Sequence, residues 1–220
     1  MKITYQDICR SEEINTYICC ADSSLRALGY TEHSFAHVTK TAAFASELLE
    51  KLGYPEHEAE LARIAGYMHD IGNVVNRIDH AQSGAIMAFR ILDKMGMDPA
   101  DTAAVITAIG NHDEATAYPV NAIAAALILA DKTDVRRSRV RNQDIQSFDI
   151  HDRVNYAVEE SHVELDTERR TLTSCLTINT EICPVMDYFE IFLQRMLLCR
   201  KAAAFLDLTF RLKINGQELL

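Results

Sequence analysis

Apolar residues recur at helical spacing along most of the first 160 positions. The run from Ile14 to Leu28 follows Ser11 and Glu13 and stops at Gly29, which predicts a helix capped by Ser11. A second helix is predicted from about His33 to Leu52. Phe35, Val38, Ala42, Ala45, Leu48, Leu49 and Leu52 share one of its faces, and Gly53 and Pro55 end it. Four more are predicted over about Glu56–His69, His80–Met95, Pro99–Asn111 and Asn121–Val135. From about Val163 the period becomes two. TLTSCLTINT at Thr171–Thr180 reads as a strand, Pro184 heads an amphipathic helix to about Leu206, and LTFRLKI at Leu208–Ile214 reads as another strand before an Asn215-Gly216 turn. The pattern predicts a mainly α chain. A helical domain covers residues 1–160 and a small strand–strand–helix–strand (α+β) unit covers residues 161–220. A hairpin alone is marginal in water, so that unit must pack its helix on its strands or on another chain. Met186, Phe189, Phe192, Leu193, Met196 and Leu197 then serve as core, or as the face of a homodimer formed through the C-terminal unit.

Composition narrows the classes. The 220 residues are 48% hydrophobic and 25% charged, an ordinary globular balance that allows a buried core without disulfides. The longest apolar run, Ala122 to Ala130, is too short for a membrane span of about 20 residues. The opening MKITYQDICR has no apolar signal region, so a cytoplasmic location is expected. A net charge of -10 repels nucleic-acid backbones and anionic membranes, and neither is an expected partner. Cys9, Cys19, Cys20, Cys175, Cys183 and Cys199 show no C-x-x-C spacing and read as reduced, mostly buried thiols.

Imidazoles and carboxylates carry the candidate chemistry: His37, His69-Asp70, His80, His112-Asp113 and Asp131, spread over separate helices. A helical bundle can project such groups into one internal pocket. The donor set suits Zn, Fe, Mn or Ni rather than Ca. After Asp131, DKTDVRRSRVR gathers Lys132, Arg136, Arg137, Arg139 and Arg141. If the helix continues, Asp131, Asp134, Val135 and Ser138 share one face, and Lys132, Arg136 and Arg139 form a neighbouring stripe. That stripe either receives an anionic substrate or is a solvated helix end whose cations complement the dipole. His33 lies about one turn before His37. It reads as a solvent-facing residue in preference to a group hydrogen-bonded to a ligand, and His57, His151 and His162 read as surface. Phosphate-binding glycine loops and a G-x-S-x-G elbow are absent from the sequence.

Residues 37 to 131 resemble the HD superfamily of metal-dependent phosphohydrolases. The matching pieces are His37 in HVTKTAAFASELLEKLG, MHDIGN at Met68–Asn73, HAQSG at His80–Gly84, AIGNHDE at Ala108–Glu114 and ADKTD at Ala130–Asp134. The resemblance implies an HD-type helical bundle. It implies that His37, His69, Asp70 and Asp131 ligate a first metal, and that His80 and His112 belong to a second, with Asp70 bridging the two. Asp113 stands where phosphodiesterases of cyclic dinucleotides carry a second adjacent His, and their GYP signature is missing, which argues against that subclass.

The implied activity is hydrolysis of a phosphate ester, a nucleotide or other small phosphorylated metabolite, by a metal-activated water. One or two divalent ions (Fe, Mn, Zn, Ni or Mg) are the expected cofactors. Beside Asp70, Lys132 is expected to stabilise transition-state charge, Asp134 or Asp113 to orient water or move a proton, and Lys132, Arg136 and Arg139 to meet the phosphate. Two alternatives stand beside this reading: a di-iron oxygenase on the same ligand set, and a non-enzymatic ligand-binding or regulatory module.

Overall fold

The computed structural model describes residues 3–142, 144 and 147–219. Among these residues α1 (Tyr5–Arg10), α2 (Glu12–Ala27), α3 (Phe35–Lys51), α4 (Glu56–Met68), α5 (His80–Met95), α6 (Pro99–Gly110) and α7 (Ala122–Lys132) form the helical bundle. Local chemistry explains most of the boundaries. The Ser11 hydroxyl accepts from the Ile14 amide, and Asp98 and Asn121 cap α6 and α7 in the same way. Gly29, Gly53 and Gly96 follow helices with positive φ, where the chain must turn left-handed. The short α1 was not visible in the periodicity. Its six residues are held by a reciprocal Thr4–Asp7 capping box.

α7 is the axis of the bundle. It packs against α3, α4 and α6, and all of its residues are buried. It ends at Lys132, three residues short of the expected Val135. Asp134 turns back to accept from His37, Lys40 and Arg136, and Arg139 donates to the carbonyls of Asp134 and Glu32. These ties outweigh continued helix. The Asp131–Ser138 face and the Lys132–Arg136–Arg139 stripe therefore do not form, and Arg137–Arg139 is a single 3-10 turn.

The helix α8 (Ile150–Ala157) leads directly into β1 (Val158–Asp166), which starts within the span read as helical. β2 (Thr171–Ile178), α9 (Val185–Phe205), β3 (Thr209–Ile214) and β4 (Gln217–Glu218) complete the unit. The sheet order is β1-β2-β3-β4. β1/β2 and β3/β4 are antiparallel, and β2/β3 is parallel across the α9 crossover. Leu172, Ser174 and Leu176 pair in register with Phe210, Leu212 and Ile214, and this face is buried. Asn215 and Gly216 both take positive φ in the β3–β4 turn, as the Asn-Gly pair predicts.

α9 also packs along α7. Phe192 and Met196 are buried, whereas Met186 and Leu193 are exposed. The described cysteines are all free, and Cys175, Cys183 and Cys199 are buried while Cys19 and Cys20 are exposed. No helix among the described residues is long and apolar enough to cross a membrane.

Candidate metal centre

Four helix ends or starts bring the imidazoles together. His37 lies in the first turn of α3, His69 caps the C-terminus of α4, His80 opens α5, and His112 follows α6. Asp70 follows His69, and Asp131 is near the end of α7. All six are buried.

The glycine of the HDIG string explains part of this convergence. A Cβ on Gly72 would overlap the backbone of His80 and Gly84, so only glycine lets the 3-10 turn Ile71–Val74 pass beneath α5. A Cβ on Gly66 would lie 2.7 Å from the Ala42 Cα, which sets the close α3–α4 approach.

Each imidazole spends its Nδ1 outward. His37 Nδ1 donates to Asp134 Oδ2 (2.9 Å), His69 Nδ1 to the Gly66 carbonyl (2.8 Å), His80 Nδ1 to the Arg77 carbonyl (3.0 Å) and His112 Nδ1 to the Ile109 carbonyl (2.6 Å). Carbonyl and carboxylate acceptors fix the Nδ1–H tautomer and turn the four Nε2 lone pairs inward.

The inward atoms form two groups. His37 Nε2 is 3.2 Å from Asp131 Oδ1 and 3.7 Å from Asp70 Oδ2, and His69 Nε2 is 3.1 Å from Asp70 Oδ2 and 3.8 Å from Asp131 Oδ1. On the other side, Asp70 Oδ1 lies 3.6 Å from His80 Nε2 and 3.9 Å from His112 Nε2, which are 3.2 Å apart. The two oxygens of Asp70 thus face different imidazole pairs.

The arrangement is costly without a cation. His37 Nε2, His69 Nε2 and Asp70 Oδ2 are buried with no hydrogen-bond partner, and the His80 and His112 lone pairs point at one another. A divalent ion in either group would resolve these contacts, so the donor set fits one or two such ions.

Titration follows the same geometry. Burial, reinforced by neighbouring positive charge, pushes His80 and His112 below the usual imidazole range, and Arg77 Nη1 also lies 3.3 Å from His80 Nε2. Burial works to raise Asp70 and Asp131, but His69 beside the first and Lys132 beside the second hold both well below the carboxylate range.

The groups border a cavity of about 410 Å³. Lys132 and Arg139 line it. Lys132 is 4% exposed and sits 2.7 Å from Asp131 and 3.5 Å from Glu114, and these carboxylates overcome the effect of burial and raise its pKa.

Three expectations fall elsewhere. Arg136 is bound by Asp134 and Glu32 and is not part of the cavity wall, because the turn after α7 directs it toward the chain before α3. Asp134 lies behind His37, where it orients the ring. Asp113 is outside the wall, its carbonyl tying the turn at Thr116 and Ala117. One histidine read as solvent-facing departs from expectation. His33 lines the cavity with its ring 5.6 Å from that of His37, whereas His151 is exposed, as read from the sequence, and borders the cavity from α8.

Glu114, Arg77 and Arg195 also form the wall and were not singled out from the sequence, and Phe192, read there as core or dimer face, joins them. Glu114 is the residue after the noted His112-Asp113 pair. Phe192 and Arg195 come from the C-terminal unit, and nothing local marks them.

Comparison with known proteins identifies the family. The HD domain family matches residues 34–153. A protein of Methanocaldococcus jannaschii, described as uncharacterized, is 24% identical over 191 residues, covering 76% of this chain and 73% of that protein. The crystal structure of a predicted HD superfamily hydrolase from an uncultured Thermotogales bacterium is similar at 26% identity. That match covers 56% of this chain and 67% of the other, with a TM-score of 0.45.

Proposed function

This chain belongs to the HD domain family, and on that premise we propose that it hydrolyses a small phosphate ester, such as a nucleotide or other phosphorylated metabolite, using divalent metal held by His37, His69, Asp70 and Asp131 and, in a second position, by His80, His112 and Asp70. The observation that carries this reading is the set of four imidazoles whose Nδ1 atoms are all tied outward while their Nε2 atoms converge on the two oxygens of Asp70. A divalent ion held there supplies a water of lowered pKa and a Lewis acid for the phosphoryl oxygens.

The chain's own groups do the rest. Asp134 holds the His37 ring in place. Lys132 and Arg139 place positive charge on the cavity wall, where it offsets charge growing on a phosphoryl group. Among the wall residues, the cations Arg77, Lys132, Arg139 and Arg195 nearly balance the carboxylates Asp70, Glu114, Asp131, Asp149 and Asp152. Added divalent charge makes the cavity positive and favours an anionic substrate over a neutral one.

The test is metal content per chain by mass spectrometry, read beside turnover of phosphate monoesters and diesters. One or two equivalents are expected in the wild type, with a loss in His69→Ala and no turnover in Asp70→Ala. Full activity in Asp70→Ala would sink the proposal. Iron as the main metal, with substrate-dependent oxygen uptake and no phosphate release, would replace it with an oxygenase.

A further inference from the structure

Within the phosphate-ester reading, we propose that the C-terminal unit supplies a substrate-binding residue: Arg195 of α9, aligned by Glu114 and Phe192, receives the phosphoryl group beside Lys132. Arg195 lines the same cavity as Asp70 and Asp131, although it lies 64 positions beyond Asp131 in the chain.

Its guanidinium is held on two sides. Nε donates to Glu114 Oε1 at 2.7 Å, and Cζ sits 4.3 Å over the ring of Phe192, one turn earlier on α9. The anchor uses Nε alone. No hydrogen bond from Nη1 or Nη2 to another described residue is present, and the side chain retains 20% exposure. An arginine fixed through Nε on a cavity wall presents its outer nitrogens in the fork geometry that matches two phosphoryl oxygens.

The charge arrangement favours the same use. Glu114 is shared, lying 3.5 Å from Lys132 and 2.7 Å from Arg195, so one carboxylate stands between two cations. Lys132 in turn contacts Asp131 at 2.7 Å. The row Arg195–Glu114–Lys132–Asp131 therefore runs from the C-terminal unit to the metal cluster, with positive charge on both sides of Glu114.

A purely structural clamp between α9 and the α6–α7 segment would use the same Arg195–Glu114 bond, and the experiment must separate the two roles. Metal-loaded wild type, Arg195→Ala and Arg195→Lys are compared for KM and kcat on the best phosphate ester. Binding of inorganic phosphate, metal content and circular dichroism are measured alongside. The expected result is a loss of phosphate affinity and a rise in KM of about tenfold or more in Arg195→Ala. Metal content and helicity stay unchanged, and millimolar guanidinium ion restores part of the loss. Arg195→Lys keeps a charge but lacks the fork, and is expected to fold and bind phosphate more weakly than wild type.

Phosphate affinity and KM within twofold of wild type in the folded variants would overturn the role of Arg195 and leave the phosphate-ester reading standing. If Arg195→Ala does not fold, unchanged phosphate affinity in Arg195→Lys overturns it. A metal-loaded wild type that neither binds phosphate nor hydrolyses any ester overturns both.

Discussion

Asp134 shows how a single carboxylate acts from behind a site. It is 2% exposed and accepts from His37 Nδ1, from Lys40 (2.7 Å) and from Arg136 (3.0 Å). Burial works to raise its pKa, but the His37 bond and Arg139 hold it far below the usual range, so it is an anion at every physiological pH. A fixed anion here accepts from Nδ1 and turns Nε2 inward. Asp134→Ala is expected to weaken metal binding by roughly 10- to 100-fold, read by competition with a chelator, while circular dichroism stays native. Affinity equal to wild type would show that the His37 ring is positioned by packing alone. Asp134 was legible as a residue of interest because it neighbours the ADK string. Its role was not, since a continued helix would have placed it beside Asp131 rather than behind His37.

At the level of elements, the site depends on close backbone approaches that only glycine allows. The 3-10 turn Ile71–Val74 runs against the start of α5, and Gly72 is the point of nearest approach. Gly72→Ala must push His80 and Gly84 away. The neighbour is backbone, so relief requires moving α5. The expected cost is about 2–3 kcal/mol, seen as a fall in Tm of roughly 5–10 °C for a chain of this size. Because His80 opens α5, metal retention should fall with stability. A variant as stable as wild type and equally metal-replete would mean that α5 is not pinned there. Helix α5 itself was readable from its periodicity with the same bounds, whereas the turn beneath it is too short to leave a periodic trace.

Across the whole molecule, the C-terminal unit and the helical bundle meet through α9 on α7 and through the ion pair of Arg195 with Glu114. Glu114 has its pKa brought down from 4.5 to about 2 in the folded protein. A depressed carboxylate contributes stability that is fully present above its unfolded pKa and is lost as pH falls through the folded one. Wild type should therefore exceed Glu114→Gln in Tm above pH 4.5, with the gap closing as the pH falls toward 2. Thermal melts of the two proteins across that interval check it. A gap independent of pH would place the contribution of Glu114 in packing rather than charge.

Local pattern was enough for six helices of the bundle, for most of the tail's strands and for its long helix, because their periods are written in consecutive residues and their ends in Ser, Asp, Asn, Gly and Pro. The metal-ligand candidates were also legible, since His and Asp at those spacings resemble a known family. The end of α7 at Lys132, the turning of Arg136 and Arg139 toward Glu32, and the return of Asp134 to His37 were decided by tertiary contacts that outweigh helix propensity. The same holds for Phe192 and Arg195. A residue joins a cavity wall because its helix packs there, and helix packing depends on the complementary surfaces of α7 and α9, which no window of neighbouring residues contains.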